Sequence, residues 1–149
     1  MRLKRPPLLV AAAVAILSAC ATPPGKLKDT DFVSRTVEVQ QSVAPSVGAF
    51  LESLRYCGPE SRGILSVTHH GVPNCAPPRS DGTVVCDLYV GGVYGGRSNV
   101  VLGRADFSPT DRGTTVVLRV QTYAANKEAI LTAWENFLCS QAQQVCPER

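Results

Sequence analysis

Apolar and polar residues alternate from Phe32 to Gln40, with Val33, Val37 and Val39 on one face, which is the period-2 mark of a strand. The period then changes. Val43, Val47, Phe50, Leu51 and Leu54 recur at helical spacing, Pro45 sits where a first helical turn tolerates it, and Gly58-Pro59 stops the run. Four strand-like segments follow. Ile64–His70 is short, Thr83–Val90 places Val84, Cys86, Leu88 and Val90 together, and Asn99–Phe107 is less regular. In Thr114–Tyr123, Val116, Leu118 and Val120 oppose Arg119 and Gln121. Pro109-Thr110-Asp111-Arg112-Gly113 reads as the hairpin connection between the last two. From about Ala125 to Gln143, Ile130, Leu131, Trp134, Phe137, Leu138 and Ala142 form one helical stripe.

The order β-α-β-β-β-β-α predicts an α+β fold of two layers. An antiparallel sheet of about five strands buries the stripes of two helices. Residues 32–149 are read as one domain, with neither an internal repeat nor a second boundary. Ahead of it, ATPPGKLKDTD (residues 21–31) combines Pro, Gly and charge without apolar periodicity, as a tether does.

The first nineteen residues follow a different logic. Arg2, Lys4 and Arg5 precede ten uncharged residues, Leu8–Leu17. That run is too short to span a hydrocarbon core of ~30 Å and suits an export signal. It ends in Leu17-Ser18-Ala19-Cys20. This tetrad resembles the bacterial lipobox. The resemblance implies cleavage between Ala19 and Cys20, diacylation of the Cys20 thiol, and acylation (palmitate-type chains) of the new amino group. Each buried CH₂ contributes ~0.8 kcal/mol, so several chains hold a protein where one binds only reversibly. Ala21 stands where Asp favours inner-membrane retention in Gram-negative sorting, which implies the outer membrane, with the domain facing the periplasm.

Charge changes meaning in this light. The chain carries a formal +3, but three of its fifteen basic residues lie in the signal. The remaining twelve face twelve acidic residues, all beyond Cys20. No basic block remains as a phosphate footprint, and nucleic acid is not an expected partner.

The element order, a Cys closing the first helix and a Trp in the last one also resemble helix-grip domains over Val37–Cys146. These include a lipoprotein component of the barrel-assembly machine, and small proteobacterial envelope lipoproteins of unknown function share the order. The chain is shorter than most ligand-binding helix-grip proteins.

Six cysteines fit an oxidising compartment. With Cys20 lipidated, five remain, and an odd number cannot all pair. A Cys139–Cys146 bridge closes if the last helix ends near Gln143. In a continuous helix the two would stand ~10 Å apart, beyond disulfide reach. Cys57 follows the first helix, and Cys75 lies in a Pro-rich stretch (Pro73, Pro77, Pro78) that could come alongside it. Cys86 faces the core and is the expected free thiol. A metal site is the competing reading, but no CxxC occurs.

Candidate chemistry is thin. His69 and His70 would point to opposite faces of a strand, and neither Ser66 nor Asp81 stands at a diagnostic spacing for a nucleophile or an orienting acid. Gly91-Gly92-Val93-Tyr94-Gly95-Gly96-Arg97 lacks the Lys-Ser/Thr of a phosphate loop and reads as a connection, with Tyr94 at its tip as a candidate partner contact. Trp134 reads as core. Asp87, Asp106 and Asp111 form no carboxylate pair by spacing, and no cofactor motif is present. The expectation is a non-enzymatic outer-membrane lipoprotein whose domain binds an envelope protein or supports an assembly. A carrier of a small hydrophobic ligand is the alternative, and an enzyme comes third.

Overall fold

The alternation between Thr83 and Tyr123 becomes the centre of an antiparallel sheet. The computed structural model describes residues 26–62, 68–91 and 96–140. In chain order these form β1 (Phe32–Val39), α1 (Val43–Ser53), β2 (Glu60–Arg62), β3 (Thr68–Cys75), β4 (Val84–Gly91), β5 (Arg97–Thr110), β6 (Gly113–Gln121) and α2 (Lys127–Ser140), with a 3-10 turn at Asp29–Asp31 ahead of β1. The strands lie side by side as β1-β6-β5-β4-β3-β2, each pairing antiparallel. The fold is α+β, an antiparallel sheet carrying two helices. Five of its strands have eight residues or more, and β2 is a three-residue edge paired only with residues 68–70.

Two element boundaries differ from expectation. Of the expected strand Ile64–His70, Thr68–His70 is the start of β3 and residues 63–67 lie outside the described part, while β2 at Glu60–Arg62 is a strand the sequence did not mark. Of the Pro-rich stretch, Pro73 to Cys75 continue β3, and only the part with Pro77 and Pro78 lies in the connection to β4. Pro73 is tolerated for a reason visible in the ladder. Ala76 donates its N–H to Val85 O at 2.9 Å, so pairs alternate from there: Cys75/Cys86 and Pro73/Leu88 are the pairs that exchange no hydrogen bonds. The backbone nitrogen of Pro73 therefore faces away from β4, toward an edge that β2 does not reach, and no ladder bond is lost.

One face of the sheet carries the core. Val84, Cys86 and Leu88 of β4, Ala105 and Phe107 of β5, and Val116, Leu118 and Val120 of β6 are buried against Phe50 of α1 and Ile130, Leu131, Trp134 and Leu138 of α2. The stripe on α2 is the one the sequence marks. On α1 the marked Phe50 is fully buried and Val43, Val47, Leu51 and Leu54 pack partly buried against the core, while Ser46 and Ser53, which the sequence did not mark, are buried beside Phe50. Both serine hydroxyls bond backward to the helix itself, Ser46 Oγ to Ser42 O at 2.9 Å and Ser53 Oγ to Phe50 O at 2.7 Å. Satisfied in this way, small polar residues can be buried and let α1 approach closely.

Two glycines are fixed by close approach. Gly103 follows a bulge at Leu102, since Leu88 pairs with Gly103 and Tyr89 with Val101. A Cβ there would stand 2.9 Å from Arg119 O and 3.4 Å from the Trp134 ring. Gly113 opens β6 after the Asp111-Arg112 turn, with φ +149°. A Cβ on it would lie 2.0 Å from Val39 O.

Substituting Gly113→Ala is expected to cost on the order of 2 kcal/mol or more, because the carbonyl it meets belongs to the paired β1 backbone. Gly48→Ala on α1, where a methyl group meets nothing within 4 Å, is expected to gain about 0.5–1 kcal/mol from helix propensity. Urea denaturation of the two variants beside the parent checks both signs.

Candidate functional site: the cysteine framework and the carboxylates

The lipobox residues Ala19 and Cys20 lie outside the described residues, as do Cys146, Ser66 and Tyr94. Four cysteines are described, and their pairing corrects the expectation. Cys75 and Cys86 are bonded to each other across β3 and β4. Pairs of this kind bring side chains close, and the two Cα atoms are 3.9 Å apart. Cys86 is fully buried, as expected for a core-facing position, but it is not the free thiol. Nor does Cys57 pair with Cys75. Cys57, 3% exposed, is disulfide-bonded, and its partner is none of the other described cysteines. Cys139, expected to bond Cys146, instead carries a free thiol on the exposed side of α2. Connectivity follows strand register here. With Cys75 on a strand, its nearest neighbour is set by the ladder and not by loop proximity.

The Cys139 thiol is pushed above its ordinary pKa by partial burial and, secondarily, by the negative charge of Glu135. It is thus a poor nucleophile at neutral pH.

Two of the carboxylates weighed as chemistry, Asp87 and Asp106, are paired with arginines. Asp87 on β4 lies directly opposite Arg104 on β5, and Arg104 Nε donates to Asp87 Oδ1 at 2.6 Å with Nη2 to Oδ2 at 3.3 Å. This pairing raises the Arg104 pKa, against the opposing effect of burial. Asp106 accepts from Arg119 Nη1 on β6, and Arg119 Nε lies 3.7 Å from Asp29 beside the N-terminal turn. The result is a band of two Asp–Arg pairs on the face of the sheet turned away from the helices, with Arg104 and Arg119 at directly opposite positions of β5 and β6. Strand alternation already marks Asp87, Arg104, Asp106 and Arg119 as outward positions, so this network could have been read from the sequence and was missed. On the helix face, Arg35 of β1 ties the sheet to α2 through Glu135 at 2.8 Å, Thr132 at 2.9 Å and Glu128 at 3.3 Å.

The remaining candidates separate. His69 and His70 are on β3, opposite Ser61 and Glu60 of β2. Asp81 caps the turn before β4, accepting from Thr83 N at 2.9 Å, and this bond lowers its pKa. Asp111 is exposed at the tip of the β5–β6 hairpin. Trp134 is fully buried. On the outer side of α1, an open groove of about 620 Å³ is lined by Gln41, Ser42, Pro45, Gly48, Ala49, Glu52 and by Phe137 of α2. Among the described residues no helix is long and apolar enough to cross a membrane.

Comparison with known proteins brings no relative: no protein-family model, no curated protein and no solved structure matches the chain.

Removing the cross-strand bridge with the pair Cys75→Ala and Cys86→Ala is expected to cost about 3 kcal/mol, the chain-entropy value for a loop of this size. The midpoint of denaturation under non-reducing conditions reads it. For Cys139, alkylation by iodoacetamide should rise about tenfold per pH unit through neutral pH and level off only above the pH at which an ordinary cysteine thiol ionises. A rate already level at pH 7.5, mapped to this residue, would contradict the raised thiol.

Proposed function

We propose that the chain is a lipoprotein attached through Cys20 to the periplasmic side of a bacterial outer membrane, where its domain contacts an envelope protein or supports an assembly without catalysing a reaction. The observation that carries the reading is the tetrad Leu17-Ser18-Ala19-Cys20 at the end of a charged and then apolar leader. The Cys75–Cys86 bridge supports it, since such bonds persist outside reducing compartments. Ala21 favours the outer over the inner membrane.

Between carrier and protein-binding module, the space under α2 favours the second. A carrier needs an apolar cavity between the sheet and the Trp134 helix. That position is filled by the Trp134 indole, which lies over Gly103 and against Phe50 at 5.1 Å between ring centres. Asp87 and Asp106 are paired with arginines, an arrangement suited to a rigid sheet.

Expression in a Gram-negative host tests the reading. The mature protein should begin at Cys20, carry the mass of a diacylglyceryl group and an amide-linked chain, and fractionate with the outer membrane. Cys20→Ala should abolish acyl labelling and leave the leader attached. An unmodified Cys20 thiol in the wild type, or retention of the first nineteen residues, overturns the anchor. Crosslinking in intact cells then separates the two roles: lipid recovered with the domain and no protein partner would favour the carrier.

A further inference from the structure

The described cysteines leave one bond end unassigned. Cys75 and Cys86 bond each other, Cys139 is a thiol, and Cys57 is bonded to something else. Two cysteines remain in the chain, Cys20 and Cys146. We propose that Cys57 is joined to Cys146, so that the C-terminal segment is covalently stapled to the end of α1.

The surroundings of Cys57 place it within reach of that segment. Its carbonyl accepts the Trp134 Nε1–H at 2.8 Å, and its neighbour Tyr56 stacks on Phe137 with ring centres 6.1 Å apart and planes 22° apart. Cys57 thus lies beside the C-terminal half of α2. From Trp134 to Ser140 the helix rises ~9 Å, and the six residues from Ser140 to Cys146 can return roughly 20 Å. Six residues also separate Cys20 from Lys26, so length alone does not choose between the two. The chemistry of the anchor does, and here the inference rests on the function proposed above: a sulfur alkylated by a diacylglyceryl group has no thiol with which to form a disulfide.

Closing the bridge removes two electrons and two protons from the thiols of Cys57 and Cys146. A protein dithiol–disulfide oxidant of the oxidising compartment accepts them by exchange through a mixed disulfide. The six cysteines then divide without remainder: two bridges, one lipid-bearing sulfur at Cys20 and one thiol at Cys139. The odd count left by lipidation is resolved by Cys139, whose raised pKa makes it slow to enter exchange.

The test is peptide mapping of the full-length protein from the envelope of a Gram-negative host, with thiols blocked by N-ethylmaleimide at lysis and no reductant. Trypsin should release the peptide 56–62 disulfide-linked to 128–149, with fragment ions placing the bond at Cys146 and maleimide on Cys139. Cys146→Ala should expose Cys57 to maleimide while Cys75–Cys86 stays closed. A Cys57–Cys20 linkage overturns this inference and the anchor together. Cys57 bonded to Cys139, or free, with the lipid mass present on Cys20, overturns the staple alone. Cys57–Cys146 found beside an unmodified Cys20 thiol upholds the staple and overturns the anchor alone.

Discussion

The packing of Trp134 over Gly103 is the contact on which the two layers depend. The indole is fully buried, meets Phe50 edge-on with rings inclined at 82°, and satisfies its only donor on Cys57 O. Three separate segments meet there: the bulged middle of β5, the core side of α1 and the chain just beyond it. A side chain of this size needs a floor without a Cβ, and the bulge at Leu102 brings Gly103 to that place. Because a buried indole N–H without a partner costs about 1–3 kcal/mol, the Cys57 carbonyl fixes the course of the chain leaving α1 as well as the pose of the ring. The same turn thereby holds the disulfide-bearing residue close to α2.

The opposite face of the sheet is ordered by different forces. Asp87, Arg104, Asp106 and Arg119 form two ion pairs across three strands, and each side chain is less than a third exposed. Pairs in this setting contribute modestly to stability, since desolvation offsets much of the attraction. Their stronger effect is on register. A slip of one residue between β5 and β6 would send Arg119 into the core and Leu118 to solvent. Arg35 does the corresponding work at the β1 edge, where an inward-facing charge bonded to α2 also makes that edge a poor template for another strand.

Strand alternation made β4 and β6 legible, and helical spacing marked the stripe of α2, because large apolar residues there coincide with the buried face. On α1 helical spacing marked Phe50 and the partly buried Val43, Val47, Leu51 and Leu54 but missed Ser46 and Ser53, because burial was assigned by hydrophobicity and these hydroxyls are satisfied by backbone carbonyls of their own segment. Pro73 hid a strand for a related reason: a proline is costly only where its missing N–H faces a partner, and that orientation is a property of the ladder. The cysteine pairing was the least legible part. Composition told that disulfides form, but which ones form depends on the pairing of β3 with β4. The proposed leader, by contrast, would be read by enzymes as a linear string, so that reading rests on the sequence alone and not on the fold.

An anchor at Cys20 would also orient the domain. The chain is already tied down ahead of β1, where Asp31 O accepts from Thr122 N at 3.0 Å and Lys28 N donates to Asp31 Oδ2 at 2.8 Å. Only eight residues then separate the lipid from fixed structure, a reach of at most roughly 25–30 Å. The fixed point is the end of the sheet where β1 starts, β6 finishes and α2 is about to begin. Gly91 and Arg97 pair at that same end, so the close of β4 and the start of β5 would face the bilayer. The β5–β6 hairpin, the β3–β4 connection and the start of α1, with the Gln41–Ser42 end of its groove, lie at the other end. A soluble or membrane-spanning partner approaching from the periplasm would meet these elements first. The short tether would restrict a bilayer-side partner to the end where β1 and β5 start.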